Sequence, residues 1–291
     1  MFDEAAVMGT VNAGASAPVD SSRTFVDDSA ATDSHGFAYN LAISDLLQDF
    51  VSDCVRRFDE HKSAILMFTS GTQGTPKGAL LSWANLAGAS YASNPALGVT
   101  LSSCWQLALP LYHVGGLQMY IRSLLAGAKI VLYSRFDARA VVKDARMYGA
   151  THVSVVDKTL RDMLKEDKSA SIIGKYSCIL LGGSAPNETL LQEAWSLGVR
   201  VITSYGMTET CSHIAWAEES MHADGMQLLS GYQAKVLDAD ESGFGQLAVK
   251  GPGVFGGYLN AQASFTPDGY FLTGDRACVE DDRLIVEART S

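Results

Sequence analysis

The stretch TSGTQGTPKG, residues Thr69 to Gly78, holds three glycines, three threonines, one serine and one lysine, directly after the apolar run AILMF. Those residue types at that density suit one kind of chemistry, the holding of an anion. Gly71, Gly74 and Gly78 let backbone amides approach oxygen atoms with no Cβ in the way. Ser70, Thr72 and Thr75 add hydroxyl donors and Lys77 adds a positive charge, so that the N–H dipoles and side chains converge on one point. A solvated linker has the same composition, and composition alone leaves that reading open. The stretch is not the G-x-x-x-x-G-K-[ST] loop, because Pro76 stands where that motif has glycine and Gly78 where it has a hydroxyl. A metal ion accompanying a bound phosphate therefore needs a ligand elsewhere. Other constellations offer less. His35, His61, His152, His213 and His222 form no metal-ligand spacing, Asp281 and Asp282 read as a solvated turn, and no G-x-S-x-G elbow supports a hydrolytic Ser70 or Ser184.

The elements that must position this loop follow from two alternating patterns. Short β-type runs occupy 64–68, 104–109, 129–133, 151–156, 177–181 and 199–204, and helical patterns fill 82–93, 117–126, 138–148, 158–166 and 188–197. Gly127, Gly149 and Gly198 stop three of the helices, and Asn187 is placed to accept from the first free amides of the last. This alternation predicts an α/β fold of mostly parallel sheets covered by helices. Past residue 228 the pattern becomes short strands between Gly, Pro and Asp turns. We expect residues 1–228 to form the α/β part and 229–288 a β-rich subdomain of the same large domain. Residues 1 to about 38 are rich in Ala, Ser, Asp and Gly and commit to no element.

A net charge of −10 argues against a nucleic-acid or anionic-membrane binder, which needs a surplus of Lys and Arg, while leaving room for a small anion in a local pocket. No charged residue lies between Lys77 and Arg122, yet Pro95, Gln106, Pro110 and His113 interrupt the run, so it reads as core rather than a membrane span. Five scattered cysteines without a C-x-x-C pair, and an acidic start, MFDEAAVMGT, fit a cytoplasmic protein with free thiols.

Five ordered motifs together resemble those of the adenylate-forming superfamily of acyl- and aryl-CoA ligases, luciferases and peptide-synthetase adenylation domains. They are TSGTQGTPKG, PLYHVGG (110–116), LGGSAP (181–186), SYGMTET (204–210) and DGYFLTGD (268–275). The resemblance spans about residues 60 to 290. It implies that Thr69, Ser70, Gly71, Thr72, Gly74, Thr75 and Lys77 wrap the phosphates of ATP, and that Gly183, Ser184, Ala185 and Pro186 flank adenine. Ser204, Tyr205, Gly206 and Met207 line the same nucleotide, with Tyr205 stacked on the base. Thr208 is implied at the α-phosphate, Glu209 as the Mg²⁺ ligand, and Asp275 and Arg289 on the ribose. The superfamily usually has glycine before that arginine, where this chain has Ala288. Catalytic roles fall on Thr208, Glu209, Lys77 and His113, and the acyl pocket is expected among His113, Gly115, Gly116, Ser184, Met207 and Ser212. Bland readings stay open for each: a core tyrosine, a turn aspartate, a helix-start glutamate, a satisfied histidine, a frayed arginine.

The reaction so implied is attack of a substrate carboxylate on the α-phosphorus of ATP, giving acyl-AMP and pyrophosphate, followed by displacement of AMP by the thiol of coenzyme A. Two anions must meet, so positioning and charge neutralisation dominate. Superfamily members complete this with a small C-terminal domain that starts just after the position of Arg289. Residues 289–291 are expected to begin that hinge, which makes the chain an N-terminal domain whose partner domain acts in cis or in trans. Alone it should bind ATP and acid but adenylate slowly. The short lead before Thr69, with PLYHVGGLQ and SYGMTETCSH, resembles the o-succinylbenzoate–CoA ligase branch of menaquinone biosynthesis. Ser212 and His213 could there meet a second carboxylate. Another aryl- or fatty-acyl-CoA ligase, or a non-catalytic nucleotide-binding remnant, remain as alternatives, and a homodimer is left open.

Overall fold

The computed structural model describes residues 59–69, 76–219 and 224–287. They fall within one unit that begins at Asp59. Strand β1 (Ser63–Thr69) and strand β2 (Lys77–Ser82) form an antiparallel hairpin in which Thr69 lies opposite Lys77. The glycine-rich stretch is therefore the connection between two paired strands, and Lys77 is the first residue of the second rather than part of the loop. The composition TPKGALLS hid β2, because glycine and proline lower strand propensity while pairing with a neighbour can override it.

Helix α1 (Trp83–Leu97) starts with a reciprocal cap between Ser82 and Asn85 and ends at Gly98, which takes the left-handed conformation at φ 68°. It runs past Pro95, beyond the expected end at 93. Full burial of Leu97 and the Gly98 cap offset the hydrogen bond that proline cannot make. Then follow β3 (Cys104–Leu107), α2 (Val114–Ala126), β4 (Lys129–Leu132), α3 (Ala138–Tyr148), β5 (His152–Val155), α4 (Asp157–Glu166), β6 (Cys178–Leu181), α5 (Glu188–Ser196) and β7 (Val201–Met207). Gly127 and Gly149 cap α2 and α3 in the left-handed conformation, and Asn187 accepts from the Leu190 amide at 2.9 Å, as the sequence leads one to expect.

Strands β3 to β7 pair in parallel in the order β7-β6-β5-β3-β4. Both faces are covered, and alternate residues show it. Val153, Val155, Ile179, Leu181 and Val201 pack with α3, α4 and α5, whereas Trp105, Leu107, Cys178, Leu180 and Ile202 pack with the end of α1 and with Met119 of α2. From β7 onward the same sheet continues antiparallel through β8 (Ser212–Ala217) and β9 (Met226–Leu228). It then passes through β13 (Arg283–Val286), β12 (Phe271–Glu280) and β11 (Gly245–Lys250) to β10 (Gln233–Leu237). The result is an eleven-stranded mixed sheet, parallel at one end and antiparallel at the other. No helix among the described residues is long and apolar enough to cross a membrane.

Between α4 and β6, Asp167 is buried and accepts from the amides of Ile172 at 2.7 Å and Ile173 at 2.9 Å. Burial alone would raise its pKa, but these bonds and that from Ser171 hold it below the usual carboxylate value. A depressed carboxylate stabilises the fold above its unfolded pKa and loses that contribution as pH falls through the folded value. Asp167→Asn should therefore cost about 1–2 kcal/mol at neutral pH, with the difference from wild type closing in acid. Urea titrations across the acid range test this; a pH-independent difference would contradict it.

Candidate functional site

The loops singled out by their motifs gather at one edge. His113 follows β3, Gly183 to Pro186 follow β6, and Thr208 to Thr210 form a single 3₁₀ turn directly after β7. All lie past the carboxyl ends of parallel strands, where open α/β sheets take their ligands. Strand order also reverses here, since the chain steps from β3 out to β4 and returns to β5 on the other side of β3.

Tyr205 and Asp275, seventy positions apart, are joined directly: the phenol donates to Asp275 Oδ2 at 2.7 Å. Asp275 is buried on β12, and its amide donates to the Thr273 hydroxyl oxygen at 3.0 Å. Ser204 Oγ donates to the Leu181 carbonyl at 2.9 Å, which ties SYGMTET to the loop carrying Gly183, itself at φ 95°. Glu209 is buried, and its Oε1 accepts from the Tyr258 hydroxyl at 2.6 Å. The Lys77 ammonium lies 5.4 Å from the centre of the same tyrosine ring. Burial first, and Glu209 second, push the Tyr258 phenol pKa up, so it stays a donor.

Gly206 is fixed by close approach. A Cβ there would lie 2.0 Å from the Ser212 carbonyl oxygen and 2.5 Å from His213 Cα. In the β7–β8 ladder Gly206 faces His213 and Met207 faces Ser212. His213 is buried, and its Nδ1 is 2.9 Å from Arg122 Nη2. Arginine has only donors, so the imidazole accepts at Nδ1 and carries its proton on Nε2. Burial, then the neighbouring guanidinium, lower the His213 pKa well below its ordinary value and keep the ring neutral. Arg122 is completely buried; desolvation lowers it to about 10, which leaves it charged at neutral pH. Its Nε donates to Ser93 Oγ at 2.7 Å, but Arg122 Nη1, His213 Nε2 and Gln118 Oε1 have no hydrogen-bond partner among the described residues.

Of the residues expected to line the acyl pocket, His113 borders a cavity of about 450 Å³ together with Ile65, Met67, Phe68, Tyr112 and Leu117. Gly115, Gly116, Ser184, Met207 and Ser212 are not on its wall. Gly116 instead lies under the Pro110 carbonyl, where a Cβ would come within 2.1 Å. Ser70, Gly71, Thr72, Gly74, Thr75 and Arg289 lie outside the described residues. Among the described residues no group of three or more His, Cys, Asp or Glu could hold a metal by itself. A single buried carboxylate, Glu209, suits a magnesium ion that takes its other ligands from phosphate and water.

Sequence reading missed Arg122, Tyr258 and Asn260. Arg122 carried a signal, as the first charge after a long apolar run, but it was used only to end that run. Tyr258 and Asn260 lie in GGYLN, which looks like an ordinary turn.

Fold and site together define a class: an open α/β protein whose polar loops collect at the carboxyl edge of its parallel strands. A family model described as AMP-binding enzyme matches residues 8–259, and the chain belongs to that family. The 2-succinylbenzoate–CoA ligase of Enterococcus faecalis is 36% identical over 228 residues, covering 75% of this chain and 47% of that protein. The enzyme of the same name from Bacillus licheniformis is 36% identical over 236 residues, 77% of this chain and 48% of the relative. The solved o-succinylbenzoate coenzyme A synthetase of Bacillus subtilis in complex with ATP and magnesium ion superposes with a TM-score of 0.73. It is 31% identical, over 78% of this chain and 50% of that one. The chain thus spans about half the length of the relatives it matches.

The contact at Gly206 yields a direct test. Gly206→Ala should destabilise by about 1–3 kcal/mol, since backbone on β8 must move to admit the methyl group. Gly256→Ala, at a position with nothing within 4 Å, should be close to neutral. Chemical denaturation of both variants checks the contrast.

Proposed function

We propose that this chain supplies the ATP- and acid-binding part of an AMP-forming acid–thiol ligase whose acid is o-succinylbenzoate. The observation that carries the nucleotide part is convergence. Tyr205 and Asp275 share a hydrogen bond, and Glu209 and Lys77 meet on Tyr258, although the three motifs that carry these four residues are scattered along the chain. Membership of the AMP-binding family and the ligand named for the Bacillus subtilis structure support ATP with magnesium here. In this reading Asp275 accepts from the ribose hydroxyls, Tyr205 lies against adenine, and Lys77, Thr208 and the backbone of 69–78 neutralise phosphate. Gly183 to Pro186 border the base, and Arg289 completes the ribose contact. Magnesium on Glu209 would supply further charge neutralisation as the substrate carboxylate attacks the α-phosphorus and pyrophosphate leaves.

Arg122 supports an acid with a second carboxylate. Two donors, Arg122 Nη1 and His213 Nε2, are buried without partners among the described residues, and His213 stands directly opposite Gly206 in the β7–β8 ladder. Guanidinium and imidazole N–H groups both suit a carboxylate, and a buried guanidinium with one N–H group unsatisfied is costly unless something takes it up. Coenzyme A is the thiol of the second half-reaction. We assign completion of that step to the part of the relatives' length that this chain does not cover, acting in cis or in trans. The cytoplasm, with its ATP and its reducing conditions for the buried free thiols, is the fitting compartment.

Thermal shift of the 291-residue chain with ATP, Mg²⁺ and a panel of acids tests this reading. ATP with Mg²⁺ should raise Tm, and o-succinylbenzoate should raise it further where benzoate and long-chain fatty acids do not. A ligand at a hundred times its Kd adds about 2.7 kcal/mol, well within detection. A response to another acid would reassign the substrate, and no response to any acid would leave a nucleotide-binding protein without ligase function. Arg122→Gln should keep the ATP shift and lose that of the dicarboxylate by roughly tenfold or more in affinity.

A further inference from the structure

The segment GGYLN, 256–260, joins the exit of the glycine-rich stretch to Glu209. Asn260 holds both sides of that exit, accepting from the Gly78 amide at 2.8 Å and donating to the Pro76 carbonyl at 3.0 Å. The backbone adds two more ties to β2, from Leu259 N to Gly78 O at 2.7 Å and from Leu80 N to Gly257 O at 3.0 Å. Ala79 and Tyr258 form an isolated antiparallel bridge. On its other side the same segment reaches Glu209 twice, through the Phe255 amide to the Glu209 carbonyl at 2.9 Å and through the Tyr258 hydroxyl to the carboxylate at 2.6 Å.

From this geometry we infer that Tyr258 is a positioning residue that couples the phosphate-holding lysine to the metal-holding glutamate. The inference rests on the ligase reading above. A buried carboxylate that must meet a magnesium ion cannot rotate freely. The phenol occupies one lone pair of Oε1 and so limits rotation of the carboxylate, which orders the group before the ion arrives. The ring does a second job. At 5.4 Å from its centre the Lys77 ammonium is within cation–π range, which parks the charge beside the glutamate when no phosphate is present. Two groups that must act on one nucleotide, one on β2 and one in the 3₁₀ turn after β7, are thus oriented by one side chain.

Titration calorimetry with ATP, in excess Mg²⁺ and in chelator, tests the inference on wild type and Tyr258→Phe. The phenylalanine keeps the ring and removes only the donor to Glu209. It should weaken binding of ATP by about tenfold with Mg²⁺ present, the value of one hydrogen bond to a charged group, and by less than about twofold in chelator. In a Glu209→Gln background the same substitution should have no further effect on the magnesium-dependent affinity, because the partner it orients is gone. If Tyr258→Phe does not fold, Tyr258→Leu removes the same donor to Glu209 with a smaller apolar side chain and should show the same magnesium-selective loss. Equal losses with and without Mg²⁺, or an undiminished loss beside Glu209→Gln, would overturn the positioning role while leaving the ligase reading intact. Failure of wild type to bind ATP under either condition would remove the ligase reading itself.

Discussion

Gly206 is where the backbone of β7 and that of β8 come too close for any side chain. A methyl group there has nowhere to go, with the Ser212 carbonyl oxygen at 2.0 Å. That contact forces the chain to reverse within the few residues of the 3₁₀ turn. Cys211 and Ser212 accordingly take positive φ, 52° and 82°, a conformation that costs non-glycine residues of order 1 kcal/mol each and persists only where packing over-determines it. The reversal has two results. It turns a parallel sheet into an antiparallel one, and it holds Thr208 and Glu209 at the carboxyl edge instead of letting a helix carry them away over one face.

The antiparallel half then has a positional purpose. Strands β8, β9 and β13 lead outward from β7, and β12 returns Asp275 to within a hydrogen bond of Tyr205. The aromatic group of Phe255, Tyr258, Phe265 and Phe271, with ring centres 4.7 to 6.2 Å apart around Phe255, packs GGYLN against β12 and fixes how far it can move from Glu209. Phe255 and Phe271 are buried and edge-to-face, so the segment that orients Glu209 is anchored by core rather than by surface contacts. Rigid neighbours on two sides are what a single hydrogen bond needs if it is to aim a carboxylate.

How much of this could be read from the chain depends on the kind of signal. The parallel strands and their helices were legible because each is a local pattern: apolar runs such as CILL bounded by turns, and helices closed by Gly127 and Gly149. Membership of the AMP-binding family was legible from the motifs and their order. β2 was not, since KGALLS forms a strand only because β1 and GGYLN lie on either side of it. β8 was masked in the same way, as SHIAWA follows a motif whose interest lay elsewhere. Tyr258 was beyond reach of any single-sequence argument, because its meaning comes from a partner 49 positions away. Pairings of that kind are set by the sheet, and the sheet order is not written in any local window. Glycines in a motif were the hardest residues to interpret from sequence. Gly116 had the right position in its motif, but its missing side chain makes room for the Pro110 carbonyl in the turn before α2.

Arg122 shows why electrostatics here must be local. A chain of net charge −10 repels anions at a distance, and at physiological salt the field of exposed charges fades within about 8 Å. Recognition of any small anion by such a chain therefore cannot rely on long-range steering and has to come from donors already aimed and already dry. Burying a guanidinium between α1, α2 and β8 costs several kcal/mol after relaxation, offset in part by Ser93 and His213. A hydrophobic side chain of the same size would pack there without that cost, so stability alone does not account for the arginine. The cost becomes intelligible if an anion completes the hydrogen bonding of Nη1 when the site is filled. The same reasoning covers Lys77, whose ammonium lies over the ring of Tyr258 and, among the described residues, on no carboxylate oxygen. An ammonium paired tightly with Glu209 would have to be pulled away before phosphate could bind, whereas a cation over a ring is released for about 1 kcal/mol or less at exposed sites.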